Sequence, residues 1–285
     1  MVRLARILAA VVLSVTLAAA VVVWVGIPYV ERRWTFFPAS STSALRWQMP
    51  PDAREVAFST ADGGRLVGWF FAGTAPPNGI TVLLLHGNEG VLPDYVPEAQ
   101  RLQALGFDLL MFNYRGFGRS AGTTRGEATL YSDGAAARRY LVRERGVDPN
   151  AVALLGVSLG AAVAADLARS GPCRAVALIG GFASARQQAT ELGGWRSRPW
   201  LPHFLLDLLS SPLDTVGMIG RANCPVLIVH GEDDRAVPLA QARALHDAAR
   251  PPKRLVVVPG AAHGLPVADG RRYLDEVAAF FIDRR

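Results

Sequence analysis

Short apolar runs alternate with longer amphipathic stretches over most of this chain, which is the pattern of a parallel sheet covered by helices. Residues 55–60 and 65–71 flank Asp62-Gly63-Gly64 and predict a hairpin. Residues 80–85, 109–112, 151–155, 175–179, 225–229 and 254–258 are almost continuously apolar, as strands buried on both faces are. Helices are predicted between them, at 98–105, 127–145, 161–168, 239–249 and 270–282. The segment 183–223 breaks the rhythm. Trp195, Trp200, Phe204, Leu205 and Leu206 make it apolar, and Pro199, Pro202 and Pro212 interrupt any long helix, so it reads either as a short cap over a greasy pocket or as a helix packed on the sheet.

The front of the chain follows another pattern. Residues 7–30 carry no charge, and about 20 apolar residues suffice for a helix to cross a bilayer. Ala18-Ala19-Ala20 offers small residues for signal cleavage, but Val21 to Val25 extends the apolar run beyond a signal core, which favours an uncleaved, single-pass membrane anchor. Tyr29, Trp34, Phe36 and Phe37 follow, the ring content of a membrane interface or of packing on the first strands. Arg3 and Arg6 have no opposing acid, whereas Glu31 offsets Arg32 and Arg33, so the positive-inside tendency places the domain on the non-cytoplasmic side. The expected organisation is an anchor and flank at 1–33, a linker at 34–54 and one catalytic domain at 55–285.

With 285 residues and 51% hydrophobic content, the chain suits one large α/β domain. Its net charge of +6 rests on scattered arginines without interleaved aromatics, so nucleic acid is not an expected partner. No His, Cys or carboxylate cluster has metal-ligand spacing, and no glycine-rich phosphate loop follows the first strand, so neither metal nor cofactor is expected.

The chemistry concentrates after the strand at 151–155. Gly156-Val157-Ser158-Leu159-Gly160 runs from that strand into the alanine-rich helix, the form of a nucleophile elbow. Gly118-Arg119-Ser120-Ala121-Gly122 has the same spacing but no strand before it and no helix after it, so Ser120 reads as a loop residue. A seryl hydroxyl needs a base, and the base needs a third group to orient it. Both lie downstream at strand ends: an acid in Gly231-Glu232-Asp233-Asp234, and His263 in Gly260-Ala261-Ala262-His263. His86 and His230, each before a glycine at a strand end, read as structural imidazoles, and His203 and His246 as surface or packing residues. A histidine base must be neutral to accept a proton, and side-chain imidazoles titrate near pH 6.5, so activity is expected to rise through neutrality.

His86-Gly87-Asn88, Tyr114-Arg115-Gly116-Phe117-Gly118, the serine elbow, the Gly-x-x-Asp turn and the late Gly-x-x-His together resemble an α/β-hydrolase, from about Val56 to the C-terminus. The closest resemblance is to a membrane-tethered, short-capped branch with protein depalmitoylases and related esterases. It implies a mostly parallel eight-stranded sheet flanked by helices. It also implies Ser158 as nucleophile, Asp234 rather than Asp233 as acid, His263 as base, and the backbone N–H groups of Asn88 and Leu159 as oxyanion hole. Three positions depart from that branch: Glu89 replaces a small residue, Asn113 an Asp, and Gly264-Leu265 a more polar pair.

In the resembled fold, Cys173 and Cys224 precede neighbouring strands, within disulfide reach, although directly paired positions rarely suit the bond. A bridge and two free thiols both remain open. The resulting expectation is a membrane-anchored serine hydrolase that cleaves ester or thioester bonds through an acyl-enzyme. Its substrate would be a small or lipid-like acyl ester or thioester, or an acylated protein. The alternatives are a serine peptidase of prolyl-oligopeptidase type and an inactive hydrolase fold serving as a membrane scaffold.

Overall fold

A computed structural model describes residues 2–26, 47–88, 90–191, 211–265 and 273–283. Eight strands form one sheet in the order β1-β2-β4-β3-β5-β6-β7-β8, where β1 is Ala53–Ser59, β2 Arg65–Phe71, β3 Thr81–Leu85, β4 Asp108–Phe112, β5 Val152–Val157, β6 Val176–Ile179, β7 Val226–Gly231 and β8 Lys253–Val258. The first hairpin is antiparallel and joins β4 antiparallel, and every pair from β4 to β8 is parallel. Sequence and structure agree on each strand to within about two residues. One boundary is corrected: β1 begins at Ala53, inside the stretch 34–54 expected as linker, because Ala53 and Arg54 find partners in Phe71 and Phe70.

Period-two alternation sorts the strand side chains into two cores. Leu83, Leu85, Leu154, Leu178 and Ile228 face one way, toward helices α3 (Glu127–Arg139), α4 (Leu159–Ser170), α6 (Thr215–Ile219) and α7 (Leu239–Ala248). Val82, Leu84, Leu155, Ile179 and Val229 face the other, toward α2 (Val96–Ala104) and α8 (Tyr273–Asp283). Helix α2 starts two residues earlier than its sequence pattern suggested, since Pro97 fits the first turn, where no N–H is needed. In the segment 183–223, α5 (Ala185–Glu191) and α6 are described. Helix α5 buries no residue and is held by amides instead: Gln188 Nε2 donates to the Ala236 carbonyl, and Gln241 Nε2 to Gln188 Oε1 and Glu191 Oε2.

Cys173 and Cys224 are disulfide-bonded. The two lie ahead of β6 and β7 rather than in the paired register, which begins at Val176 and Val226. The loop they close contains β6 and all of 183–223.

Helix α1 (Val2–Val21) continues through a π turn to Gly26. Its Arg6–Gly26 stretch spans 21 residues at a mean hydropathy of 2.7, with none of it buried in the protein. Ile7, Val11, Val12, Leu13 and Trp24 are all exposed. This helix is long and apolar enough to cross a membrane, a test that a signal sequence also passes. Tyr29, Trp34, Phe36, Phe37, Glu89, His203 and the apolar run around Trp195 and Trp200 lie outside the described residues.

Candidate active site

Between the end of β5 and the start of α4 there is room for one residue, Ser158, with φ 51° and ψ −112°. Such a left-handed backbone is rare for a side chain other than Gly, Asn or Asp, and it lifts the hydroxyl out of the strand-to-helix turn. The flanking glycines are required by contact. A Cβ on Gly160 would stand 1.9 Å from the Leu85 carbonyl oxygen, and one on Gly156 2.5 Å from the Gly160 carbonyl oxygen. The Ser158 N–H donates to the Ile179 carbonyl at 2.9 Å, so the serine is still held by the sheet while its side chain leaves it.

The sheet brings the two downstream residues to the same edge. His263 Nε2 lies 3.1 Å from Ser158 Oγ, and His263 Nδ1 lies 2.8 Å from Asp234 Oδ2. The other Asp234 oxygen accepts the N–H groups of Ala236 and Val237 at 2.9 and 2.8 Å. Burial pushes the Asp234 carboxyl up, but the hydrogen bonds from His263 and Val237 and the nearby His263 and His230 outweigh it and hold it below the usual carboxylate range. Asp234 is therefore ionised and acceptor-only at neutral pH, so His263 Nδ1 is the donor in that contact and Nε2 faces the serine. Asp233 is exposed and has no part in this chain of contacts.

On the other flank, the loop after β3 packs against the serine. A Cβ on Gly87 would lie 3.4 Å from Ser158 Cβ and 3.1 Å from Tyr95 Oη. The Gly87 N–H donates to Tyr95 Oη at 2.8 Å. Its carbonyl accepts from His86 Nδ1 at 2.7 Å. His86 is fully buried against Tyr114 and Phe117, and desolvation pulls its imidazole down to about 4, so it is neutral. Asn88 and Leu159, named as oxyanion donors, follow Gly87 and Ser158 directly, and Leu159 opens α4, where helix amides converge. On the α2 side, a cavity of about 370 Å³ opens between Val157 and Gly264, the chain neighbours of Ser158 and His263, with Asp94, Tyr95 and Glu98 in its wall.

Other sequence-flagged residues have structural duties. Ser120 is buried, donates to the Asn113 carbonyl at 2.6 Å and accepts the Val67 N–H at 2.9 Å, so both functions of its hydroxyl are spent on the scaffold. Asn113 Oδ1 accepts the Leu92 N–H at 3.2 Å. His230 Nε2 donates to the Val237 carbonyl at 2.7 Å and sits 3.5 Å from Asp234 Oδ2, buttressing the acid from below. Leu265, at φ 55°, is buried and anchors the His263 loop.

Two residues near the site escaped the sequence reading. Gly180, at φ 56°, lies under the His263 ring, and a Cβ there would come within 3.4 Å of His263 Cε1. Its signal was the Gly180-Gly181 pair closing β6. Tyr95 had no signal, because its link to Gly87 depends on the turn at Leu92–Tyr95.

Residues 76–214 match the family described as serine aminopeptidase, S33. The uncharacterized protein Rv2307c of Mycobacterium tuberculosis is 37% identical over 254 residues, covering 89% of this chain and 88% of that protein. The uncharacterized protein YfhR of Escherichia coli K12 is 31% identical over 243 residues, 82% of each. This chain belongs to the same family as these two proteins. Among solved structures, the Pyrococcus furiosus esterase Pf2001 superposes with a TM-score of 0.67 at 21% identity, over 83% of this chain and 94% of that one. The α/β hydrolase GrgF from Penicillium does so at 0.65 and 18%, over 83% and 99%. At such identities the likeness is one of fold. The eight-stranded sheet is that of the α/β-hydrolase fold.

Proposed function

We propose that this protein is a membrane-anchored serine esterase or thioesterase that works through an acyl-enzyme, with Ser158 as nucleophile, His263 as base and Asp234 as acid. The observation that carries this reading is the unbroken relay from Ser158 Oγ through His263 to Asp234, at 3.1 and 2.8 Å. As Oγ bonds to the substrate carbonyl carbon, its proton passes to His263 Nε2, and Asp234 stabilises the imidazolium. The tetrahedral oxyanion is held by the N–H groups of Asn88 and Leu159, at the positive end of α4. Its collapse expels the alcohol or thiol, which takes the proton from Nε2. A water then gives its proton to the same nitrogen and attacks the acyl-serine carbonyl, and collapse of that intermediate releases the acid while Nε2 returns the proton to Ser158 Oγ.

The fold neighbours that are esterases favour a small-molecule ester. The matched family's description favours a peptidase that acts on free amino termini. Lipid-like acyl groups and acylated proteins are the finer reading, motivated by helix α1. That helix is read as the anchor, with the domain on the non-cytoplasmic side. The Cys173–Cys224 bond supports this side, because disulfides persist in oxidising compartments.

The test is a fluorophosphonate probe followed by a substrate panel, with Ser158→Ala as control. Short and long p-nitrophenyl esters, acyl thioesters and aminoacyl p-nitroanilides are offered in turn. Ser158-dependent labelling with ester or thioester turnover is expected. Turnover of the anilides alone would replace the esterase reading by the peptidase one, and a folded protein that neither labels nor turns over would make the chain a scaffold. Full-length protein is expected to stay with membranes through a carbonate wash.

A further inference from the structure

We infer that Tyr95 is a positioning residue for the oxyanion loop, acting with His86 as a clamp on the two peptide groups that flank Gly87. The inference deepens the serine-hydrolase reading above and rests on it.

A peptide unit is planar and trans, so its carbonyl and its N–H point in opposite directions from one rigid plate. The Gly87 carbonyl and the Asn88 N–H belong to the same plate. His86 Nδ1 holds the carbonyl end at 2.7 Å, which fixes the direction of the Asn88 N–H at the other end. The preceding plate carries the Gly87 N–H, and Tyr95 Oη holds that one at 2.8 Å. Gly87 has no side chain to restrain it, and none fits, since its Cβ would press on both Ser158 Cβ and Tyr95 Oη. The loop beside the nucleophile is thus steered from outside, by two side chains gripping successive peptides. A carbonyl that accepts a hydrogen bond also polarises the N–H on its own plate, which strengthens the donor offered to an oxyanion.

Tyr95 is itself held. It ends the 3-10 turn Leu92–Tyr95 and leads into α2. Asp94 Oδ2 accepts the Val91 N–H at 2.9 Å, and Asn113 Oδ1 accepts the Leu92 N–H, so the entry of the turn is pinned. Asn113 is in turn joined by Ser120. A line of contacts therefore runs from the false elbow serine, through Asn113 and the turn, to Tyr95 and the loop beside the true one. Its consequence is that the oxyanion amide sits where the folded scaffold puts it before any substrate arrives, which is the preorganisation such a site requires.

Tyr95→Phe keeps the ring and removes only the hydroxyl that accepts the Gly87 N–H. Kinetics on p-nitrophenyl butyrate, expressed per fluorophosphonate-labelled serine, remove any misfolded fraction from the comparison. Expected are a fall in kcat of about tenfold, a KM within about twofold of the parent, and inhibition by a trifluoromethyl ketone weakened by the same factor as kcat. An amide that is merely satisfied by Tyr95 would move the melting temperature but not the ratio of ketone affinity to KM. An unchanged kcat, or a kcat loss matched by KM with ketone affinity intact, overturns the inference. A parent protein without turnover overturns the serine-hydrolase reading and this one with it, whereas an unimpaired Tyr95→Phe in an active parent overturns this one alone.

Discussion

Replacing both Cys173 and Cys224 by serine tests the covalent closure around β6 and 183–223. The bond spans a sequence separation of 51, and the chain-entropy relation for a loop of that length gives about 4 kcal/mol of stability at 25 °C. For a domain of this size, 1 kcal/mol moves the melting temperature by about 2–4 °C, so the double variant is expected to melt about 8–16 °C lower. The bond sits at the entry of β6 and β7, and the Ser158–His263 relay at their exit, so turnover per labelled serine at 25 °C is expected to stay at the parental level. Melting curves and urea midpoints of the parent, the parent under reductant and the double variant form the assay, with thiol titration of the unreduced parent beside them. Reduced parent and variant should coincide. Two reactive thiols in the unreduced folded protein would remove the bond, and a variant melting within about 2 °C of a bridged parent would refute the entropic account.

Asp234→Asn leaves the geometry but loses the charge that fixes the His263 tautomer, so kcat is expected to fall on the order of 10⁴-fold in a protein with parental circular dichroism. Because the folded Asp234 carboxyl is held below its usual range, its contribution to stability is complete above about pH 4 and lost as pH falls further, so urea midpoints of parent and variant should converge only in that acid range. His86 acts at higher pH. Its imidazole is down at about 4 in the fold, so between about pH 6.5 and 4 the unfolded chain takes up a proton that the folded one refuses. Stability should fall by about 3 kcal/mol as pH drops across that window, a slope that urea midpoints of His86→Phe should lack. Gly160→Ala forces a Cβ against the Leu85 carbonyl, which is backbone and cannot swing aside, so a loss of at least about 3 kcal/mol in urea unfolding is expected.

Strands β3, β5, β6 and β7 were legible because each is buried on both faces, which leaves Thr81 and His230 as the polar positions in otherwise apolar runs. Ser158 was separable from Ser120 only by what surrounds it. The five-residue spacing is shared, and the strand before and helix after are not. Strand ends carried Asp234 and His263 to the same edge because parallel strands all point one way, a consequence of order rather than of proximity in the chain. Contacts between side chains and loop backbone were not legible. Tyr95 meets Gly87 across eight positions through a turn whose path depends on Asn113, and Gly180 matters only because His263 arrives from a segment far along the chain. The disulfide was open in the sequence, since strand adjacency brings the sulfurs near without fixing which way they point.

Helix α4 is enclosed along nearly its whole length: Ala161, Ala162, Ala164, Ala165 and Ala168 are fully buried, as is Val163. A rod gripped on all sides behaves as a spacer of fixed thickness between the sheet and the outer helices, and Ser158 is mounted at its tip. Growth of any of these methyls would act as a shim, tilting the rod and carrying the hydroxyl away from an imidazole anchored elsewhere. Variation in what the site acts on therefore has little room to arise here. It is left to parts of the chain that do not pack on this rod.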